Sequence, residues 1–353
     1  MSSSTRWKHR PPGSTWGDFG PDDQLGRMNL LTAEKVRQGI AEVHEGLTFN
    51  LSLPLDYPGG SVLNPRRMPP VLRPTLRNGK PNLNYRLIGD DPNCTDVVSD
   101  DLVIMHLQYS TQWDSLAHVG SMFDADGDGV AEAVYYNGFR AGIDVTGPSG
   151  VDGAGIFGFL EIPRESTCGA KALGIENMSA RCVQGRAVMI DLHAHLGTAR
   201  VNVDHDMLMD IMKKDGVSVE QGDMVCLHTG FADLLLQMNK QPPADVLSRY
   251  GAGLEGRDPK LLQWITDSGL VALIADNYAV EAHPASHREG PCATLPLHEH
   301  CIFKLGVHLG EIWHLGPLAT WLRAHQRSRF LLTAPPLRLP GAVGSPATPI
   351  ATV

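Results

Sequence analysis

Apolar and polar positions along this 353-residue chain follow two periods. Residues 47–55 (LTFNLSLPL) alternate with period two, the spacing of a half-buried strand. Just before them, Val36, Ile40 and Val43 recur at helical spacing behind Thr32, which predicts a helix over 33–43 capped by Thr32. Beyond residue 100, apolar runs at 102–108, 187–192, 224–227, 270–275 and 330–333 alternate with helical patterns at 205–214, 231–238, 259–267 and 317–326. Such alternation predicts an α/β domain around a central sheet. The remaining segments lack either period. Residues 1–24 read as an N-terminal arm and 25–333 as a single catalytic domain. Residues 334–353, rich in Pro, Gly and Ala, read as an extended C-terminal tail. Residues 57–95 read as a long loop carrying Arg66, Arg67, Arg73, Arg77, Lys80 and Arg86. That loop is either a solvated charged surface or an arm over a neighbouring subunit or an anionic substrate.

In open α/β sheets, chemistry gathers beyond the carboxyl ends of the strands. Here the apolar runs end in reactive groups: Asp191, His193 and His195 after one, His228 after the next, Asp276 and Asn277 after a third. The run at 102–107 leads into HLQYSTQWDSLAH at 106–118. If that stretch is extended, His106, Gln108, Ser110, Gln112 and Asp114 share one face, because side chains alternate.

Composition narrows the function classes. Hydrophobic residues make up 42% and charged residues 20%, an ordinary globular balance with material for a core. The net charge of -9 argues against nucleic acid as a main partner. No apolar run reaches the ~20 residues of a membrane helix. Six scattered cysteines without a CxxC pair, and a basic start with no apolar stretch behind it, predict a cytoplasmic protein with reduced thiols.

The order Gln108-x-Ser110-Thr111-Gln112-x-Asp114-x-Leu116-x-His118 resembles a motif of the cyclase-like metal-dependent hydrolases, whose usual form is His-x-Gly-Thr-His-x-Asp-x-Pro-x-His. That family includes bacterial kynurenine formamidases and isatin hydrolases. The chain matches at Thr111, Asp114 and His118, and departs at Gln108, Ser110, Gln112 and Leu116. Segments 16–36, 185–195 (GRAVMIDLHAH), 227–231 (LHTGF), 275–281 (ADNYAVE) and 297–319 resemble further family segments in the same order. The resemblance implies a swivelling β/β/α domain with a mixed, barrel-like sheet, usually in an oligomer such as a dimer or tetramer. It implies hydrolysis of a small cyclic amide, formamide or lactone by metal-activated water. Gln108, Gln112, Asp114, His298 and Glu311 hold the matching metal positions, Glu311 also counting as catalytic, and His118 the matching acid/base position.

Two glutamines where the family has histidines replace nitrogen donors with weaker oxygen donors. The remaining oxygen-rich set favours Mn²⁺ or another hard cation beside Zn²⁺, or loss of the metal altogether. His106 is a candidate replacement ligand. Two rival readings stay open. One is an amidohydrolase barrel using His193 and His195, although 158 residues after His195 are few for a fold of ~250. The other is a non-catalytic binding protein that has lost its metal. His283 and His287 sit in a polar loop as candidate gating residues, whereas His300, His308 and His314 read as ordinary core or surface histidines. Asp124, Asp126 and Asp128 begin like a calcium loop, but Tyr135 occupies the twelfth position, so a polar loop is expected. Gly153-x-Gly155-x-x-Gly158 follows a loop instead of a strand and reads as a loop beside the pocket. The amides after His228, at Thr229 and Gly230, are candidate donors to a substrate carbonyl.

Overall fold

The apolar runs pair into one mixed sheet. The computed structural model describes residues 6–150, 155 and 166–353. Its central sheet has nine strands. In chain order these are β1 (Thr48–Asn50), β2 (Gln112–Asp114), β3 (Gln184–Asp191), β4 (Met224–His228), β5 (Ala272–Ala275), β6 (His308–Glu311), β7 (Arg329–Thr333), β8 (Gly344–Pro346) and β9 (Ile350–Thr352). Their order across the sheet is β1-β9-β7-β3-β4-β5-β6-β2-β8. The four strands from β3 to β6 are parallel, and every other pairing is antiparallel.

The parallel strands are covered on both faces, which is why they read as unbroken apolar runs. Val225 and Leu227 of β4 face one core with Ile211, Leu261 and Ile265, while Met224 and Cys226 face another with Leu318, Ala319 and Leu322. The helices behind these faces are His205–Asp215, Pro259–Ser268 and Gly316–Ala324, close to the predicted spans.

The sheet is curled, and chain connectivity requires it. β8 stands last in the order and β9 second, yet Pro346 and Ile350 are only four links apart. A flat sheet would separate those strands by ~34 Å at ~4.8 Å per step, whereas four links span at most ~14 Å. The two margins therefore meet, joined by Leu51 N–H donating to Pro349 O at 2.9 Å, Ala347 N–H to Thr111 O at 3.1 Å, and a bridge between Ser52 and Trp313.

Several expectations change on this frame. Residues 334–353 are extended but form no separate tail, because they supply β8 and β9 and bury Val353. Part of the N-terminal arm is anchored in the core: Trp16 is buried, and its Nε1–H donates to Phe303 O at 2.8 Å. The helix Ala33–Ala41 has the Thr32 cap, but it buries Lys35 and Gly39 and exposes Ile40. Lys35 Nζ reaches buried Asp223 at 3.0 Å, and a Cβ on Gly39 would lie 2.8 Å from the backbone of Gly185, so close approach decided the face. The run at 102–108 yields only the strand Asp101–Ile104, outside the main sheet, and residues 57–95 contain short paired strands. The glycine string at 153–158 lies outside the described residues except for Gly155.

Candidate metal centre

β2 and β6 lie side by side, with Gln112 opposite Glu311 and Asp114 opposite Leu309. Period-two alternation sends Gln112 and Asp114 to the same side of β2, while Trp113 points away against Trp313 at 4.9 Å between rings. Thr111 locks the approach: its Oγ1 donates to Ile312 O at 2.6 Å and accepts from Leu53 N at 2.9 Å. His298 arrives from the turn Pro296–His298.

Gln112, Asp114, His298 and Glu311 are all buried. Gln112 Nε2 donates to Glu311 Oε2 at 2.9 Å, and His298 Nε2 lies 3.1 Å from Glu311 Oε1 and 3.9 Å from Asp114 Oδ2. Asp114, His298 and Glu311 each offer a ligand atom within 4.8 Å of the others. Half-buried His118 brings Nε2 to 3.7 Å from Asp114 Oδ1. Buried Glu281 completes the arrangement. It accepts from His298 N, Leu297 N and His298 Nδ1, the last at 2.7 Å, so the opposite ring nitrogen faces the carboxylates.

The charges explain the electrostatics. Burial raises the Glu311 pKa, and the Asp114 charge raises it further. Burial alone would lower His298, but its hydrogen bonds to Glu281 and Glu311 outweigh this and lift it to about 10. Burial lowers His118, and the Asp114 charge opposes that only partly. Two buried acceptors, Asp114 Oδ2 and Gln112 Oε1, have no hydrogen-bond partner. Such groups cost ~1–3 kcal/mol each when unmatched. A cation answers both, so this donor set fits a divalent metal bound through oxygen and one imidazole.

Not every predicted residue joins this group. The row from His106 to Asp114 breaks at a turn, where Tyr109 N–H donates to His106 O at 3.2 Å. His106 accepts from Met68 N at 3.1 Å, whereas Gln108 still reaches Gly344, the residue opposite Asp114, where a Cβ would lie 2.4 Å from its Nε2. His193 and His195 lie on the short helix Leu192–Leu196, not on a strand, so they do not share a face. His195 instead bonds Asp215 at 2.9 Å. The curled mixed sheet also excludes the (β/α)₈ barrel reading. Thr229 and Gly230 spend their amides on the Asp276 carboxylate at 2.7 and 2.8 Å, which leaves no donor there for a substrate. His283 packs its ring 5.5 Å from Tyr278.

A second polar network lies at the ends of β3 and β4. His228 Nδ1 sits 2.8 Å from Asp191 Oδ1, Arg323 also pairs with Asp191, and His314 pairs with Asp233 at 3.0 Å. Burial lowers His228, but its hydrogen bond to Asp191 and the nearby Asp233 and Asp276 carboxylates lift it to about 10, so it serves as a buried countercharge to three carboxylates. Asp124, Asp126, Asp128 and Glu132 converge in the expected polar loop, with Arg140 paired to Glu132 and Asp126.

A putative cyclase family matches residues 49–282. No curated protein matches the sequence. Among solved structures, a novel cyclase is 28% identical at a TM-score of 0.71, over 98% of this chain and 100% of its own. Isatin hydrolase A from Labrenzia aggregata, bound to benzyl benzoate, is 14% identical at 0.53, over 90% of this chain and 97% of its own. The isatin hydrolase A of Ralstonia solanacearum is 13% identical at 0.53, over 89% and 94%. At those identities the two isatin hydrolases speak to the fold alone.

Proposed function

The chain belongs to the putative cyclase family, and on that premise we propose a metal-dependent hydrolase that opens a small cyclic amide, formamide or lactone. The observation that carries this reading is the buried group of Gln112, Asp114, His298 and Glu311, with two orphaned acceptors, beside His118. Asp114, His298 and Glu311 would hold the cation, with the Gln112 amide oxygen beside them. When bound, a divalent metal supplies a positive charge that polarises the scissile carbonyl and acidifies water. The oxygen-rich set favours Mn²⁺, with Zn²⁺ as the second choice.

The protein groups then have distinct tasks. His118, kept neutral by burial, takes a proton from the attacking water on Nε2 and returns it to the leaving nitrogen or oxygen. Glu281 fixes the tautomer of His298 by holding Nδ1–H. Gln112 donates to Glu311 and keeps that carboxylate turned toward His298. Burial and the Asp114 charge raise Glu311, a repulsion that a cation held between the two carboxylates would relieve. The reading includes a cytoplasmic homo-oligomer, dimer or tetramer. Six free cysteines are compatible with that compartment, and no helix among the described residues is long and apolar enough to cross a membrane.

Metal loading tests the proposal. Chelated protein reloaded with Mn²⁺ or Zn²⁺ should bind the ion and melt at a higher temperature. Asp114→Ala should lose both effects and the hydrolysis of cyclic amides. Wild-type protein that takes up neither ion would end the metal-dependent reading.

A further inference from the structure

Half-buried Arg67 belongs to the loop of residues 57–95. Its N–H donates to Asn64 O at 3.0 Å, and its Nη1–H donates to Gln108 O at 2.6 Å. Gln108 in turn reaches Gly344, the residue opposite Asp114. The guanidinium is thereby tied to the strand pair that carries part of the metal site. Tyr278 approaches from β5. It follows Asn277, whose carbonyl accepts from Ile312 N at 2.9 Å, next in the chain to Glu311. Asn64, Arg67, Gln108, Tyr109 and Tyr278 line one narrow cleft.

The positive charge in this cleft has no ionic partner. A guanidinium carries a fork of N–H donors in one plane. Arg67 gives one of them to Gln108 O and forms no ion pair among the described residues. The neighbouring carboxylates are engaged elsewhere: Glu281 and Glu311 with His298, Asp114 beside His118 and His298, and Asp56 with Lys240. A countercharge built for the metal ligands would contact one of them, as His298 does, whereas Arg67 contacts none. Its field still reaches the site. Burial is the largest cause of each shift, and behind it Arg67 adds to the lowering of His118 and opposes the rises of Glu311 and Tyr278. The Tyr278 hydroxyl accepts from Asn64 Nδ2 at 3.0 Å, which leaves its own proton to donate. A guanidinium and a phenol lining one cleft make a receptor for a carboxylate.

We propose that Arg67, seconded by Tyr278, receives a carboxylate that the substrate carries away from its scissile bond. The substrate class narrows accordingly, to small cyclic amides or lactones with an acidic substituent. This inference rests on the hydrolase reading, because the metal centre lies at the other end of the same molecule. Arg67 is then a specificity-determining residue: it holds one end of the substrate while His118 serves the other.

Titration calorimetry of the full chain loaded with Mn²⁺ or Zn²⁺ tests it. The probes are malonate, succinate and glutarate, each set against the monocarboxylate of the same carbon count: propionate, butyrate and valerate. At least one dicarboxylate should bind ~10–100-fold more tightly than its counterpart, the worth of hydrogen bonds between charged groups. Arg67→Ala should erase that preference at unchanged melting temperature and metal stoichiometry, and Arg67→Lys should keep part of it. A wild type without the preference overturns the proposal. So does an Arg67→Ala variant that keeps the preference, or one that weakens both kinds of probe alike and thereby makes Arg67 a general countercharge. Protein that takes up no metal ends the hydrolase reading and this one with it, whereas metal uptake without the preference ends this one alone.

Discussion

At the scale of single residues, His118 is the group whose removal should leave the fold intact and stop the chemistry. His118→Ala is expected to cut turnover at least ~100-fold at unchanged melting temperature, measured on a cyclic amide that the wild type hydrolyses. Glu281 acts through His298. Glu281→Gln should weaken metal affinity ~10–100-fold by calorimetric titration while leaving Asp114 and Glu311 in place. The two residues differ in how visible they are in the sequence. Asp114 and His118 stand in a recognisable string directly after an apolar run, and the structure brings Asp114 together with Gln112, His298 and Glu311. Glu281 closes the family-like segment 275–281, but that segment does not show its partner. It sits in a loop, and only the folded chain turns it back onto the His298 backbone and ring. A turn at residues 106–109 breaks the extended row, yet Gln108, singled out by the motif, still reaches Gly344 opposite Asp114.

At the scale of elements, legibility follows burial. β3, β4 and β5 are covered on both faces, so their apolar runs are conspicuous. β2 and β8 are three residues long, and β2 is polar in sequence because two of its side chains face the site. Its burial is hidden from any reading by hydrophobic period. The paired strands Val71–Pro74 and Asp101–Ile104 have no buried face to impose a pattern, and only the apolar run from residue 102 marks one of them. Close approaches also have to be measured in space. Gly26 adopts a φ of +56°, and a Cβ there would lie 2.2 Å from Gly306 O. Gly26→Ala is expected to cost roughly 2 kcal/mol or more in urea unfolding, since both the backbone conformation and the contact reject a side chain. An unchanged midpoint would show that the opening segment is not packed against residue 306.

At the scale of the whole molecule, buried His308 and half-buried His300 are expected to make the fold acid-sensitive. Burial lowers His308 to about 3 and, with the Lys304 charge adding to it, His300 to about 4, against an unfolded value near 6.5. The folded state therefore binds fewer protons than the unfolded chain. Stability from these groups is complete above pH 6.5 and is lost as pH falls from 6.5 through 4. At pH 5 a neutral buried imidazole corresponds to about 2 kcal/mol lost. His308→Leu should flatten the fall in unfolding free energy between pH 6.5 and 4, and an identical slope in the variant would remove His308 as its source. His228, raised to about 10, acts in the other direction. Its contribution is present below 6.5 and fades only as pH climbs toward 10, so it does not mask the acid effect.

The pairing of β8 with β2 has a consequence for biosynthesis. The strand bearing Gln112 and Asp114 gains its outer neighbour only from residues 344–346, more than two hundred positions later. While a ribosome is still translating the intervening stretch, that edge stands open, and the polar side chains beside it have no settled surroundings. The pocket is thus among the last regions to take shape, and a nascent polypeptide stalled before codon 344 would expose an unpaired edge to chaperones and proteases instead of a working enzyme.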